Sequence, residues 1–263
     1  MSVRCPICKD KLIKDQGCYQ CHKGHSFDIS KEGYLNLLLK QGQKEYGDTF
    51  EMISARSVFL NKDYYRPLGD KMIQVISDLK IKTMVDSGCG EGYYTDLIKK
   101  ALPEIDIIGI DISKRAIKCA SKVNSDIFYI VAGNQDIPLT DECTELVLNC
   151  FAPIDHQEYK RILRKSGLLI TVTPGAEHLL QLKQVLYDHV YLNIEKEGIA
   201  GFKEINKEDL EYDIELHDQK DILALFMMTP YFFRTSLEGK ERLARLDSLK
   251  THVAFVISVY QAI

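Results

Sequence analysis

The sequence predicts an α/β protein with a doubly wound parallel sheet, preceded by a small cysteine-rich module. Beyond residue 82, short apolar runs alternate with amphipathic stretches, which is typical of strands that alternate with helices around a parallel sheet. A glycine-rich turn follows the first of these apolar runs, and an acidic residue ends the second. Four of the eight cysteines fall within the first 21 residues, apart from this pattern.

The expected elements follow the apolar pattern along the chain. The alternation predicts strands at 83–86, 106–111, 127–132, 145–150 and 168–173. It predicts helices between them at 93–102, 114–123 and 156–165. Two earlier helices are expected at 49–61 and about 65–79, where apolar residues recur at helical spacing. The tail predicts strands at 203–216 and 252–260, with helices at about 218–228 and 237–248.

Length and composition limit the class of protein. The chain has 263 residues, of which 45% are hydrophobic and 27% charged, so a disordered or fibrous protein is excluded. No apolar run approaches the ~20 residues of a membrane helix. The first residues, MSVRCPICKDK, carry charge and cysteine where a signal peptide needs an apolar stretch. We therefore expect a soluble, cytoplasmic protein without membrane contact.

The charge is uneven along the chain. The formal net charge is −4, which excludes a protein that attracts nucleic acid over its whole surface. Residues 1–44 nevertheless carry eight Lys or Arg against four acids, a net of +4, which leaves −8 for the rest. We expect two domains: a basic N-terminal module with its linker at 1–45, a candidate for RNA recognition, and a body at 46–263. Residues 29–45 are expected to be the linker.

The glycine-rich turn Gly88-Cys89-Gly90-Glu91-Gly92 predicts a nucleoside-binding site in the body. It follows a strand and opens a helix, and Asp111 ends the next strand, 19 residues beyond Gly92. Glycines let a ligand approach the backbone, and a carboxylate after the second strand accepts hydrogen bonds from ribose hydroxyls. The spacing is shorter than the GxGxxG that binds a pyrophosphate. A dinucleotide site is the alternative interpretation.

The clustered cysteines predict a zinc site. Two CxxC pairs, Cys5/Cys8 and Cys18/Cys21, are followed by His25. Tetrahedral zinc needs four thiolate or imidazole ligands, and a CxxC turn presents two of them. Spacing alone prefers the four cysteines, and the alternative set has His25 in place of Cys18. With four ligands available, the zinc ion is expected to be structural.

These features together resemble a known family. The turn with Asp86 before it resembles motif I of the class I S-adenosylmethionine-dependent methyltransferases, which have a Rossmann-like sheet. The chain also resembles the 23S rRNA (guanine-N1)-methyltransferases, including members that confer macrolide resistance. The segments that carry this resemblance are the N-terminal cysteines, EMISARSVFLNKDYYRPL, DSGCGEGYYT, the FAP turn at residues 151–153 and TVTPGAEHLLQLK. The resemblance runs from Cys5 to about Lys183 in five segments. It implies methylation of guanine N1 in a hairpin of 23S rRNA.

The resemblance implies a role for particular residues. The zinc ligands of the family correspond to Cys5, Cys8, Cys21 and His25, and Cys18 lies outside the family pattern. The residues expected to contact S-adenosylmethionine are Tyr65, Asp86, Gly88, Gly90, Glu91, Gly92, Tyr93, Tyr94, Asp111, Asp136, Ile137, Asn149 and His178. Within this set, Asp136 and Ile137 fall where the family places side chains near the adenine.

The reaction requires a base that removes the proton of guanine N1, because N1 is protonated at neutral pH. Candidates for the base are Asp155 and His156, with His178 more suited to cofactor binding. Because the acceptor edge is normally paired, the base must leave its stack, and Phe151 or Tyr94 could stack on it. Basic residues of the module would contact phosphates, namely Arg4, Lys9, Lys11, Lys14 and Lys23.

Two other functions compete with this interpretation. A small-molecule methyltransferase acting on a quinone or lipid precursor would use the same sheet, although a small acceptor needs no basic module. A non-catalytic RNA-binding assembly factor would keep the fold without turnover, although the glycines and Asp111 argue against that. The sequence leaves a homodimer open as the assembly.

Overall fold

The computed structural model describes residues 1–39, 47, 49–194 and 198–263. Its centre is an eight-stranded sheet in the order β10-β11-β9-β8-β5-β6-β7-β4. The strands are β4 (Leu35–Asn36), β5 (Thr83–Ser87), β6 (Asp106–Asp111), β7 (Phe128–Val131), β8 (Thr144–Cys150), β9 (Leu163–Pro174), β10 (Phe202–Leu216) and β11 (Leu249–Ala262). The N-terminal module forms a separate antiparallel sheet of β1 (Ile13–Asp15), β2 (Cys18–Gln20) and β3 (Ser26–Asp28).

The order of the strands places a ligand site at the middle of the large sheet. From β5 the chain adds β6 and β7 on one side, and it then returns to add β8 and β9 on the other. A parallel sheet binds ligands where the strand order reverses, outside the carboxyl ends of its strands. That point lies between β5 and β8, where the glycine-rich turn begins. The sheet thus places the predicted turn at its binding edge.

Helices surround this sheet. They are α1 (Phe50–Leu60), α2 (Arg66–Leu79), α3 (Tyr93–Ala101), α4 (Lys114–Val123), α5 (His156–Ile162), α6 (Leu180–Leu186), α7 (Gln219–Met227) and α8 (Leu237–Ala244), with a 3-10 turn at Pro230–Phe233. Side chains cap several N-termini: the oxygens of Thr49, Ser113 and Asp155 accept hydrogen bonds from the first turns of α1, α4 and α5. No helix in the described ranges is both long and apolar enough to span a bilayer.

The two faces of the large sheet are covered differently. One face packs against the apolar sides of α1 to α4 and α6 to α8. The other face packs against α5 and the N-terminal module, whose Val3, Cys5, Leu12 and Cys21 are buried in the same core. Tyr19 of the module also stacks on Phe128 of β7, with ring centroids 5.6 Å apart. The module therefore takes part of the place that a second layer of helices would fill.

Most predicted elements are confirmed, and the differences have physical causes. The sheet is mixed rather than wholly parallel, because β11 runs antiparallel to both β9 and β10. The helix predicted to reach residue 165 ends at Ile162, because Leu163 adopts an extended backbone and starts β9. Helix α6 had no expectation from sequence. Within the expected linker, β4 pairs in parallel with β7, and residues 40–45 lie outside the described residues.

Candidate functional site

A cleft of about 1930 Å³ opens at the carboxyl ends of β5, β6 and β8. Residues 88–91 of the glycine-rich turn, the loop 132–136 and the turn 150–154 line it. Tyr65, His178 and residues 228–231 line it as well. Most of the predicted site residues thus meet in one place, although they come from separate parts of the chain.

The glycine-rich turn leaves bare backbone facing this cleft. Gly88, Gly90 and Gly92 all have positive φ angles, of 88°, 56° and 81°. A Cβ atom on Gly88 would lie 2.3 Å from the Cβ of Ala152, so the turn and the FAP segment touch where only glycine fits. This close approach brings the ends of β5 and β8 together at the edge of the cleft.

Asp111 lies beside the turn at the end of β6. Its carboxylate accepts hydrogen bonds from the backbone N–H of Gly90, at 3.0 Å, and of Ser113, at 2.7 Å. These bonds fix the orientation of the side chain. A carboxylate that follows the second strand of such a sheet is suited to accept hydrogen bonds from the hydroxyls of a ribose.

Asp86 is a buried carboxyl with a hydrogen-bond partner on only one of its oxygens within the described ranges. It ends β5 with 2% of its surface exposed, and its Oδ2 accepts a 2.6 Å hydrogen bond from the Thr95 hydroxyl. Its Oδ1 is buried and has no hydrogen-bond partner among the described residues. Burial raises the pKa of Asp86 to about 7, against the effect of Thr95 and with a contribution from Asp111. A cationic ligand group would supply the missing partner.

Arg56 is a cleft residue for which the sequence suggested no role. It lies on α1, and its Nη1 is 3.1 Å from Oε2 of Glu91 in the glycine-rich turn. Both side chains are largely buried. The pair therefore holds α1 against the turn, and it places a guanidinium beside a residue that is expected to contact the cofactor.

An aromatic wall of Tyr65, His178 and Phe151 borders the cleft and packs on the buried Phe255 of β11. The ring centroids of Tyr65, His178 and Phe151 lie 5.0, 4.8 and 5.8 Å from that of Phe255. The sequence predicted these three residues, but it did not predict Phe255. Phe151 has a φ of 56° and is 46% exposed. Strained backbone conformations of non-glycine residues cluster at functional sites.

His178 is suited to binding rather than to proton transfer. Its Nδ1 accepts a hydrogen bond from the backbone N–H of Ala254 at 3.2 Å, which leaves the proton on Nε2. Burial, and then the nearby Lys183, lower the pKa of His178 to about 3. The ring is therefore neutral at physiological pH and presents a donor.

The other two candidates for the base differ in position. His156 is exposed and lines the cleft. Asp155 instead caps α5, where its Oδ1 accepts a hydrogen bond from the N–H of Glu158 at 3.1 Å, and it is not among the residues that line the cleft. The structure thus brings His156 to the site and gives Asp155 a structural task.

Several predicted cofactor contacts are placed away from the cleft wall. Gly92 packs against Tyr129, and Ile137 is fully buried with its N–H donated to Glu158 at 2.7 Å. Asn149 is 1% exposed and donates a 2.7 Å hydrogen bond to the Tyr159 hydroxyl. Tyr93, Tyr94 and Asp136 do line the cleft. Both carboxylate oxygens of Asp136, however, face cations of the N-terminal module.

The zinc ligands of the alternative set lie together. The ligand atoms of Cys5, Cys8, Cys21 and His25 are all within 4.8 Å of one another. The Sγ atoms of Cys8 and Cys21 are 3.6 Å apart, and the Nδ1 of His25 is 3.5 Å from Sγ of Cys5. A tetrahedron with Zn–S of about 2.3 Å and Zn–N of about 2.0 Å needs such separations. This group of four fits a zinc ion, and it does not include Cys18.

We expect Cys8→Ser to lose zinc and Cys18→Ser to retain it. A serine at residue 8 removes one of four ligands, whereas Cys18 lies on β2 outside the group. Inductively coupled plasma mass spectrometry of the purified variants gives the zinc content per chain. Zinc lost from Cys18→Ser and kept by Cys8→Ser would assign the site to another set of ligands.

Comparison with known proteins follows the same division of the chain. Residues 3–44 match the model of a zinc ribbon described as "RlmA, N-terminal", and residues 84–167 match a model described as "Methyltransferase domain". A solved structure titled as a "putative methyltransferase" from Bacillus halodurans C-125 shares the fold, with a TM-score of 0.50 and 16% identity over 73% of this chain and 97% of that one. The cofactor of this fold is S-adenosylmethionine, and the N-terminal module carries one structural zinc ion.

Two relatives match most of the chain. A Bacillus subtilis (strain 168) protein named "Putative 23S rRNA (guanine-N(1)-)-methyltransferase YxjB" is 32% identical, covering 94% of this chain and 92% of that protein. A Streptomyces fradiae protein named "23S rRNA (guanine(748)-N(1))-methyltransferase" is 30% identical, covering 82% of this chain and 81% of that protein. The chain belongs to the family of 23S rRNA (guanine-N1)-methyltransferases.

Proposed function

We propose that this protein transfers a methyl group from S-adenosylmethionine to N1 of a guanine in a hairpin of 23S rRNA. The observation that carries the proposal is the match to the two named relatives, of which the Bacillus subtilis protein covers 94% of the chain and so includes both the N-terminal module and the body. The cleft supports it, because it brings together bare glycine backbone, a second carboxylate and the buried carboxyl of Asp86, whose Oδ1 has no hydrogen-bond partner in the described part of the chain.

In this proposal each group of the cleft has a task toward the cofactor, which supplies an electrophilic methyl group when bound. Asp86 accepts a hydrogen bond from the ammonium of the methionine part, because its Oδ1 lacks a partner among the described residues. Asp111 accepts hydrogen bonds from the ribose hydroxyls. Tyr65 and the Nε2–H of His178 contact the methionine part from the aromatic wall. Alignment of donor and acceptor is then the main source of rate enhancement.

The acceptor side of the cleft is proposed to hold the guanine on Phe151. This ring is half-exposed in a strained backbone, fixed by Phe255 behind it and by the contact of Ala152 with Gly88. Stacking of an extruded base on an aromatic ring contributes about 1–3 kcal/mol. His156 lies beyond the same turn and is the group that we propose receives the N1 proton.

We expect His156→Ala to reduce kcat by at least about 100-fold, the usual contribution of a positioned base. The KM for S-adenosylmethionine should stay the same, because His156 lies on the acceptor side of the cleft. His217→Ala is the matched control, since this histidine has a side chain 77% exposed before α7. Steady-state methylation of a 23S rRNA fragment measures both constants. Equal kcat values for the two variants would remove His156 from the mechanism.

The N-terminal module is proposed to bind RNA phosphates through its exposed lysines. Lys11 and Lys14 are exposed, whereas Lys23 pairs with Asp10 and Lys9 pairs with Asp136. We expect charge reversal at Lys11 and Lys14 to weaken rRNA binding and to reduce its salt slope by about 1 to 2. Fluorescence titration from low to high salt measures the slope. A slope equal to that of the wild type would exclude these lysines from RNA contact.

The proposed reaction is tested in cells with and without the gene. Mass spectrometry of digested 23S rRNA should show one 1-methylguanosine that disappears with the gene, which identifies the substrate and the position together. Intact rRNA methylation in the deletion strain would leave the small-molecule alternative. Calorimetry with S-adenosylmethionine separates the third candidate, because a non-catalytic assembly factor would not bind it.

Three further properties belong to this proposal. A protein that acts on rRNA is expected in the cytoplasm, which fractionation tests. Sedimentation velocity distinguishes a homodimer from the 30.1 kDa monomer. Loss of the gene is expected to change the inhibitory concentration of a tylosin-type macrolide, since the sequence resembles resistance-associated members of the family.

A further inference from the structure

The first residues of the N-terminal module run along the loop that follows β7. The N–H of Arg4 donates to the carbonyl of Pro138 at 3.0 Å, and the N–H of Thr140 donates to the carbonyl of Ser2 at 3.0 Å. Val3 bridges to Leu139 in antiparallel fashion, and both side chains are buried. These contacts fix the module to a loop whose preceding residues, 133–136, line the cofactor cleft.

Two cationic side chains of the module form ion pairs with the carboxylate of Asp136. Nη2 of Arg4 lies 2.8 Å from Oδ1, and Nζ of Lys9 lies 2.5 Å from Oδ2. Arg4 directly precedes the zinc ligand Cys5, and Lys9 directly follows Cys8. The positions of both cations therefore depend on the backbone that holds the zinc ion.

Arg4 is also linked to the backbone of Ile137, the residue after Asp136, through the carboxylate of Glu158. Its Nη2 lies 3.6 Å from Oε2 of Glu158, and that oxygen accepts the N–H of Ile137 at 2.7 Å. Arg161 pairs with the same oxygen at 2.8 Å and completes the cluster. Asp136 and Ile137 are the residues expected beside the adenine. The module thus holds Asp136 by its side chain, and through Glu158 it holds Ile137 by its backbone N–H.

We propose that Arg4 and Lys9 are positioning residues for the cofactor: they hold the loop 133–137 in the shape that receives the adenosyl group. The inference rests on the proposed use of S-adenosylmethionine in this cleft. It gives these two cations a task other than phosphate contact. According to this proposal, Asp136 affects the cofactor only through the module, because its two carboxylate oxygens pair with Arg4 and Lys9.

The two cations should contribute unequally. Both cations pair with Asp136, whose side chain is 51% exposed, but the Arg4 side chain is 13% exposed and also touches Glu158, whereas the Lys9 side chain is 47% exposed. Loss of an exposed pair costs little because solvent screens it, whereas removal of one partner of a more buried pair costs more because it leaves the other charge uncompensated. Arg4 should therefore have the larger effect on the loop.

The test is calorimetric titration of the zinc-loaded full chain with S-adenosylmethionine. We expect Arg4→Ala to raise the Kd about tenfold and Lys9→Ala about threefold, because the first removes a partly buried ion pair and the second an exposed one. Arg4→Lys should recover part of the affinity, because it restores the charge. Lys31→Ala, at another exposed position of the module, is the matched control and should bind as the wild type does. Zinc content of one per chain in every variant shows that the module is intact.

A combination of variants separates the task of Asp136 from a direct contact. If Asp136 acts through Arg4 and Lys9, adding Asp136→Asn to the variant with both Arg4→Ala and Lys9→Ala does not weaken binding further. A further loss of affinity would mean that Asp136 contacts the ligand itself, which would overturn its role here. Wild-type affinity in zinc-loaded Arg4→Ala would overturn the inference alone. A wild-type chain that fails to bind S-adenosylmethionine would overturn the proposed function as well.

Discussion

Asp86→Asn is expected to weaken the binding of S-adenosylmethionine by about 100-fold while raising the stability of the free protein. The carboxylate is a buried anion directly before the glycine-rich turn, and its Oδ1 has no protein partner among the described residues. Asparagine keeps the shape and removes the charge, so a ligand ammonium loses its counter-ion. Removing a charge-assisted hydrogen bond from a buried site costs about 1.5–3 kcal/mol, which is about 10- to 150-fold in Kd.

The pH dependence gives a second readout of the same residue. Because burial raises the pKa of Asp86 to about 7 in the free protein, the carboxylate that binds a cation is progressively protonated below that pH. The wild-type affinity should therefore fall by up to tenfold per pH unit below about 7, and that of Asp86→Asn should not. Titrations between pH values of about 5.5 and 8.5 separate the two curves. Parallel curves would mean that the ligand does not use this carboxylate.

The stability effect has the opposite sign. A carboxyl whose pKa rises on folding favours the unfolded state as pH increases from its ordinary value of 3.8 toward 7, with a cost on the order of 4 kcal/mol above that window. Asp86→Asn removes this cost, so the free variant should melt roughly 10 °C above the wild type at about pH 8 and at nearly the same temperature at about pH 4. Asp78→Asn, at an exposed position on α2, is the matched control and should show neither effect.

The sequence predicted the part of the site that depends on local pattern. The glycines at 88, 90 and 92 and the acid at 111 follow from short-range spacing, because a turn and the strand before it lie together in the chain. The same holds for the helices whose apolar residues recur within one turn. What places Asp86 beside Asp111 is the parallel pairing of β5 with β6, which the alternation of elements already implies.

The sequence could not predict contacts between distant segments. Phe255 reaches the aromatic wall because β11 pairs antiparallel with β9, and nothing near residue 255 indicates that partner. Arg56 meets Glu91 only through the packing of α1 against the turn. Lys9 and Asp136 are 127 positions apart, so the charge of the lysine taken alone indicates a contact with RNA. A charged side chain shows in the sequence, whereas its counter-ion shows only in the fold.

Gly88→Ala is expected to lower the melting temperature by roughly 5–15 °C and to abolish measurable binding of S-adenosylmethionine. The φ of 88° costs an alanine about 1–2 kcal/mol, and the new Cβ would lie 2.3 Å from that of Ala152. Such an overlap costs about 1–3 kcal/mol more unless the backbone moves. A movement would separate the turn from the FAP segment and distort both the cofactor side and the acceptor side of the cleft.

A second substitution distinguishes the two causes. Ala152→Gly in the Gly88→Ala background removes the overlap and leaves the backbone strain, so it should recover part of the melting temperature and part of the affinity. Gly17→Ala is the matched control, because no atom lies within 4 Å of a Cβ built there, and it should leave both quantities unchanged. Calorimetric melting and titration measure them on the same samples. If the double variant bound no better than Gly88→Ala alone, the contact between these two turns would not be what shapes the cleft.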